Sequence, residues 1–227
     1  MTPTPPPTTT TTRWRQMLLV LLAVNSGATD AIGFVSLGGA FTSVMTGNFV
    51  LIGLSAAKSD GAVALRSALA IVLFMAGCVV GSRVAGQPAD RDPLWPRQVT
   101  RALWIELGAF GAYAIGWWLS GNHPTGNVQL VLLGINAIAL GVQSSAVLRF
   151  GVSGLSTTYM TGTLTQMMAA LAAGRHPRRV LPSAEIIIGL IAGAAAATLL
   201  AIYVPVIAPV LQLVLVLVVI VTAKLRS

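Results

Sequence analysis

Six stretches of the chain are apolar for long enough to cross a bilayer. They lie near Met17–Leu37, Ser67–Ala85, Ala102–Leu119, Val128–Leu148, Ala184–Tyr203 and Val206–Ala223. About 20 mostly apolar residues suffice to span the hydrocarbon core. The last two form one apolar run, divided at Tyr203-Val204-Pro205 with Pro209 in the next turn. Proline lacks the N–H that a continuing helix needs, so the chain reverses there. Two further segments, Phe41–Ala57 and Leu155–Ala173, open with small and hydroxyl residues and turn helical only near a Thr-Gly pair. From Thr46 to Lys58 a helix rises only about 18 Å, against a core of about 30 Å. These two segments read as re-entrant half-helices.

The half-helices also mark an internal repeat. Met45–Asn48 (MTGN) matches Met160–Thr163 (MTGT), and Gly27–Asp30 sits upstream where Gly141–Ser144 sits in the second half. Downstream, Gly77 and Gly81 match Gly189 and Gly193. Three features in the same order point to duplication, with repeat A over residues 16–120 and repeat B over 121–227. Residues 1–15 stand outside both. Their Thr/Pro-rich start has no large apolar side chain to offset ordering, and it reads as a disordered tail. The apolar pattern continues past the small residues Ser26–Ala28, so the first helix reads as retained rather than as a cleaved signal peptide.

Basic residues choose between two topologies. With eight spans they divide nine inside to five outside. With six spans and two half-helices that return to their own side, Arg83, Arg91, Arg97, Arg101 and Arg149 move inside and Lys58 and Arg66 move outside, giving twelve to two. The positive-inside rule favours six spans, with both termini cytoplasmic. Three spans per half then make the second half inverted relative to the first, an arrangement that recurs among transporters. The expected fold is therefore an all-α, polytopic helical membrane protein with two pseudo-symmetric repeats; eight spans is the alternative.

Composition supports the membrane reading. Of 227 residues, 55% are hydrophobic and 9% charged, and mean hydropathy is +0.82. That is too few charges to solvate a globular surface. It argues against a soluble enzyme, a disordered chain and a nucleic-acid-binding domain. The net charge of +8 comes from scattered residues that set orientation rather than from a basic patch. One cysteine, Cys78, excludes an internal disulfide and any multi-cysteine metal site.

Candidate chemistry is sparse. Asp30 lies within the first span, and an intramembrane carboxyl normally faces a cavity or a partner. It reads either as an ion, proton or substrate contact or as a cap over a helix break at Gly27 or Gly33. Both readings expect an irregular helix there. Thr46, Gly47 and Asn48 open one half-helix, and Thr161, Gly162 and Thr163 the other. Their free N–H groups could meet an anionic group, or the threonines could simply be N-caps. Together with Asp30, the two motifs suggest a shared central site. Gln143, beside Ser144 and Ser145, is the polar counterpart of the Asp30 region. Glu106 reads as an interfacial partner of Arg101, and Gly77, Gly81, Gly189 and Gly193 as close-packing positions. Arg175, Arg178 and Arg179 form a loop cluster that suits anionic headgroups.

Catalysis fails on inventory. Gly151-Val152-Ser153-Gly154 matches the GxSG of rhomboid intramembrane proteases, but the only later histidine is His176, in the basic loop. The base that would activate Ser153 is missing. No catalytic residue, metal centre or cofactor is expected.

With GATDAIGF, FTSVMTGNFVLIG and TTYMTGTLTQM in order, the chain resembles the YoaK family of bacterial inner-membrane proteins from about Met17 to Ala223. The resemblance implies a multi-pass helical protein of the cytoplasmic membrane and no particular substrate. The residues add the expectation of a small-solute or ion transporter embedded in lipid, with a homodimer suited to so small a bundle. A non-transporting assembly or interaction protein is the alternative.

Overall fold

The structure, a computed structural model, describes residues 9–89, 92–150, 160–174, 176 and 180–226. Residues 1–8 of the expected tail, Arg91, the Gly151–Gly154 motif, the start of the second Thr-Gly segment at 155–159, and Arg175, Arg178 and Arg179 lie outside the described residues. Eight helices are described: α1 (Thr9–Ser36), α2 (Met45–Lys58), α3 (Gly61–Ala85), α4 (Arg97–Leu119), α5 (Gly126–Leu148), α6 (Met160–Ala172), α7 (Leu181–Tyr203) and α8 (Ala208–Arg226).

Six of them are long and apolar enough to cross a bilayer. The other two, α2 with 14 residues and α6 with 13, are not. They rise only about 21 and 20 Å. The protein is thus a polytopic helical membrane protein with six spans and two short helices. Two local expectations are corrected. α1 begins at Thr9, so residues 9–15 of the expected tail are helical. It also runs unbroken through Gly27, Asp30 and Gly33, where an irregularity was expected. The reason is that Asp30 bonds outward to another segment and leaves its own helix intact.

The spans alternate between two faces. One face gathers the end of α1 and the starts of α3 and α5: Gln129 Nε2 donates to the Ser36 carbonyl at 3.0 Å, and Arg66 donates to Gln129 Oε1 at 3.3 Å. The α7–α8 turn joins this face, where Trp117 and Trp118 at the end of α4 donate to the carbonyls of Pro205 and Val206. The opposite face gathers the other ends. There Arg149, closing α5, pairs with Asp92 at 2.9 Å and donates to the Ala85 carbonyl at the end of α3. Trp14, Trp95 and Phe150 cluster beside it, with Arg15 over the Phe150 ring.

Packing follows small residues. α1 lies along α7 and α3 along α5. A Cβ on Gly27 would overlap the Leu190 carbonyl, and one on Gly193 the Val24 carbonyl. In the same way a Cβ on Gly141 would overlap the Phe74 carbonyl, and one on Gly77 the Ile138 carbonyl. Only glycine lets these backbones approach so closely. By contact, Gly77 plays the part of Gly193 and not of Gly189, one turn away from the match of glycines along the sequence.

The same exchange, α1–α4 for α5–α8, maps each major helix pairing onto another. Thus α4·α5 answers α8·α1, α2·α3 answers α6·α7, and α4·α8 answers itself. Burial follows suit. The apolar windows of α1 and α5 are 67% and 72% buried, those of α4 and α8 both 39%, and those of α3 and α7 both 22%. α1 and α5 form the centre. α3 and α7 turn side chains such as Val72, Met75, Ile188 and Ile191 outward, as lipid-facing helices do.

Candidate functional site

Asp30 is buried one and a half turns before the end of α1. Its carboxylate accepts four hydrogen bonds from the segment that leads into α2. Oδ1 takes the backbone N–H of Thr42 and of Ser43, both at 2.7 Å, and the Thr42 hydroxyl at 3.0 Å. Oδ2 takes the Ser43 hydroxyl at 2.5 Å. The chain therefore turns back from the end of α1 and returns to the depth of Asp30. It then leaves along α2 to the face where α3 starts, joined by Ser59 in the left-handed region (φ 56°) and Asp60. This is a re-entrant loop. The amides that meet Asp30 are those of Thr42 and Ser43 in the loop before the helix, not those of the expected helix start at Thr46–Asn48.

Asn48 completes the clamp. Its amide exchanges two bonds with Phe41, accepting from the backbone N–H at 2.9 Å and donating to the carbonyl at 2.7 Å. Gly47 lies against the Phe41 ring. Thr46 points outward and caps nothing; the cap position is Val44, which makes no side-chain bond. The capping role considered for Thr46 is thereby corrected: the helix already starts at Met45, and Asp30 and Asn48 organise the loop before it.

Helix α6 repeats the register. It begins at Met160, with Thr161 exposed, Gly162 intermediate and Thr163 buried. Thr161 uses its carbonyl to accept from Thr165 one turn on. α2 packs on α3 and α6 on α7, and they open from opposite faces. The two Thr-Gly motifs are not among the closely packed pairs, so the described residues do not bring them together into one site.

What the interior does bring together is a polar network from four spans. Glu106 of α4 is fully buried, and its Oε1 accepts from Asn25 Nδ2 of α1 at 3.1 Å. The same amide donates to Gln143 Oε1 of α5 at 3.1 Å. Gln143 Nε2 donates in turn to the Ser26 hydroxyl at 2.8 Å and to the Leu22 carbonyl. Gln212 of α8 donates to the Thr29 hydroxyl at 2.7 Å, and Thr29 donates to the Asn25 carbonyl. All six side chains are 0% exposed.

This overturns the reading of Glu106 as a partner of Arg101. Arg101 is exposed, and α4 starts at Arg97. Glu106 therefore lies about 13 Å along the helix, far from the headgroups. Gln143 was singled out from sequence; Asn25, Ser26, Thr29 and Gln212 were not. The available signal was that each is polar within a run otherwise apolar enough to span.

The family model described as a protein of unknown function, DUF1275, matches residues 18–223. The chain belongs to the DUF1275 family. It is also 34% identical over 154 residues to the UPF0700 transmembrane protein YoaK of Bacillus subtilis (strain 168), an alignment covering 68% of this chain and 66% of that relative. The chain thus spans slightly less than two thirds of the length of the curated relative it matches. No solved structure matches. The DUF1275 match takes in Asp30, both Thr-Gly motifs and the whole polar network, and leaves the Thr/Pro-rich start outside.

Proposed function

We propose that this DUF1275 protein carries a small solute or ion across the bacterial cytoplasmic membrane, through an interior site beside Asp30 and centred on Glu106. One observation carries the reading: a carboxylate and three carboxamides from four spans share one network in the buried centre. Polar groups in hydrocarbon are costly and mark pathways. A bundle held only by packing has no need of them.

Three further features support it. The helix pairings and burial shares that interchange between α1–α4 and α5–α8 fit two inverted repeats, 16–120 and 121–227. A short helix enters from each face. Arg13, Arg15, Arg83, Arg97, Arg101, Arg149, Lys224 and Arg226 share one face, whereas Lys58 and Arg66 lie on the other, which fits cytoplasmic termini. Asp30 acts here as the anchor of the first re-entrant loop. The protein works without catalysis, and a homodimer would widen so small a bundle.

A non-transporting assembly role is favoured by one fact, that both Asp30 oxygens accept bonds from Thr42 and Ser43 and so hold the loop in place. Reconstituted vesicles decide between the two. Solutes that stabilise the purified protein in a thermal-shift screen are offered to proteoliposomes. Uptake lost in a well-folded Glu106→Gln protein is the expected result; solute-independent stability and no uptake at all would favour the assembly role. A cysteine at Gln98, in a Cys78→Ser background, should resist impermeant maleimide applied from outside.

A further inference from the structure

We propose that Glu106, Asn25 and Gln212 bind a monovalent cation of the Na⁺ type in the buried network. The inference names the ion of the interior site, and only its transport role rests on the carrier reading.

The argument is an imbalance of donors and acceptors. Three oxygens in the network have no hydrogen-bond partner: Glu106 Oε2, Asn25 Oδ1 and Gln212 Oε1. The N–H and O–H groups around them are nearly all spoken for. Asn25 Nδ2 gives one hydrogen to Glu106 and one to Gln143. Gln143 Nε2 donates to Ser26 and Leu22. Thr29 has a single hydroxyl hydrogen and gives it to the Asn25 carbonyl. A buried acceptor without a partner is destabilising, and more so when it is charged. Three in one network make a standing demand for positive charge.

No described residue meets that demand. Glu106 has no ion pair among the described residues, and the basic groups of the four contributing helices sit at their ends: Arg13 and Arg15, Arg97 and Arg101, Arg149, Lys224 and Arg226. The chemistry of the ligands selects the ion. Carboxylate, carboxamide and hydroxyl oxygens suit hard cations, and no thiolate or imidazole is in the network. One carboxylate neutralises one charge. Divalent sites usually gather several carboxylates, so a single Glu among neutral oxygens balances a monovalent ion.

The test is thermal unfolding of the purified full chain at fixed pH. NaCl, KCl and LiCl are compared with N-methylglucamine chloride at equal ionic strength. A saturable rise in the midpoint with at least one alkali cation is expected. Glu106→Gln should weaken its apparent affinity by about thirtyfold or more, as befits a buried charge contact. Should that variant fold poorly, ²²Na⁺ binding to Gln212→Met and Asn25→Ser provides the second measure, each expected to bind several-fold more weakly. Wild type indifferent to all three cations would overturn the proposal, as would a response unaltered in all three variants. A response to pH alone, pointing to a proton at Glu106, would overturn it too. Cation binding without flux in proteoliposomes would leave the site standing and remove the carrier; flux without cation binding would do the reverse.

Discussion

The two short helices start in the same register, and the residues matched ahead of them, Asp30 and Ser144, bond differently. Before α2, Asp30 gathers four donors from Thr42 and Ser43, and Asn48 ties the loop to Phe41. In the second half the residue matched to Asp30 is Ser144, whose hydroxyl donates to the Leu140 carbonyl of its own helix. α2 packs along α3 more extensively than α6 does along α7. The long helices, by contrast, interchange closely. The pairings of the long helices agree with two related halves, and position 30 marks where they differ: Asp30 anchors the loop into α2, whereas Ser144 bonds within its own helix.

Removing Asp30 should break this contrast most. Asp30→Ala leaves four buried donors unmatched and should lower stability by roughly 3 kcal/mol or more. Ser144→Ala should change stability by less than about 0.5 kcal/mol. Equal losses at the two positions would show that the halves are anchored alike. Next come the glycines at which the halves agree. Gly27→Val and Gly141→Val push into the Leu190 and Phe74 carbonyls, and each should cost about 2–3 kcal/mol by overpacking. A tolerated valine at one of them, in thermal unfolding, would argue that the frame is less symmetric than the pairings indicate.

Smaller effects sharpen the picture. Asn48→Ala removes two bonds to Phe41 and should cost about 1–2 kcal/mol. Exposed Thr46 and Thr161 should each tolerate alanine within about 0.5 kcal/mol. A chemical melt of the four proteins ranks them, and a large loss at Thr46 would restore it as a cap. Smallest is a pH effect outside the spans. The Arg149 guanidinium holds the Asp92 carboxyl below the usual carboxylate range. A lowered folded value means that the contribution is present above the unfolded value, about 3.9, and fades as pH falls through the folded one. Stability should therefore dip slightly below about pH 4 in wild type and not in Asp92→Asn. A dip of equal size in both would assign it to other carboxyls.

Much of the frame was legible in the sequence because lipid imposes length and apolarity. All six observed spans close within about three residues of the predicted C-terminal limits, and both short helices start at their Thr-Gly motifs. The buried chemistry was harder to read. Glu106 looked interfacial because Arg101 stood just outside a span expected to start at Ala102, yet α4 starts at Arg97 and Arg101 sits on its early turns. Asp30 was conspicuous, but its partners Thr42 and Ser43 are far smaller signals, and only the folded loop brings them to it. Asn25, Thr29 and Gln212 are ordinary polar residues along the chain. They become a network through the rotation of four helices, which no local pattern encodes.

The glycine contacts have a consequence for how the molecule is made. α1 is gripped by α7 and α3 by α5, so neither half closes on itself. During synthesis α1 must wait in the bilayer until nearly the whole chain has been inserted before its glycine face is covered. A truncated product ending after α4 would carry two uncovered backbone seams. Quality-control proteases would find such a fragment readily, whereas the two halves expressed as separate chains should find each other and protect one another.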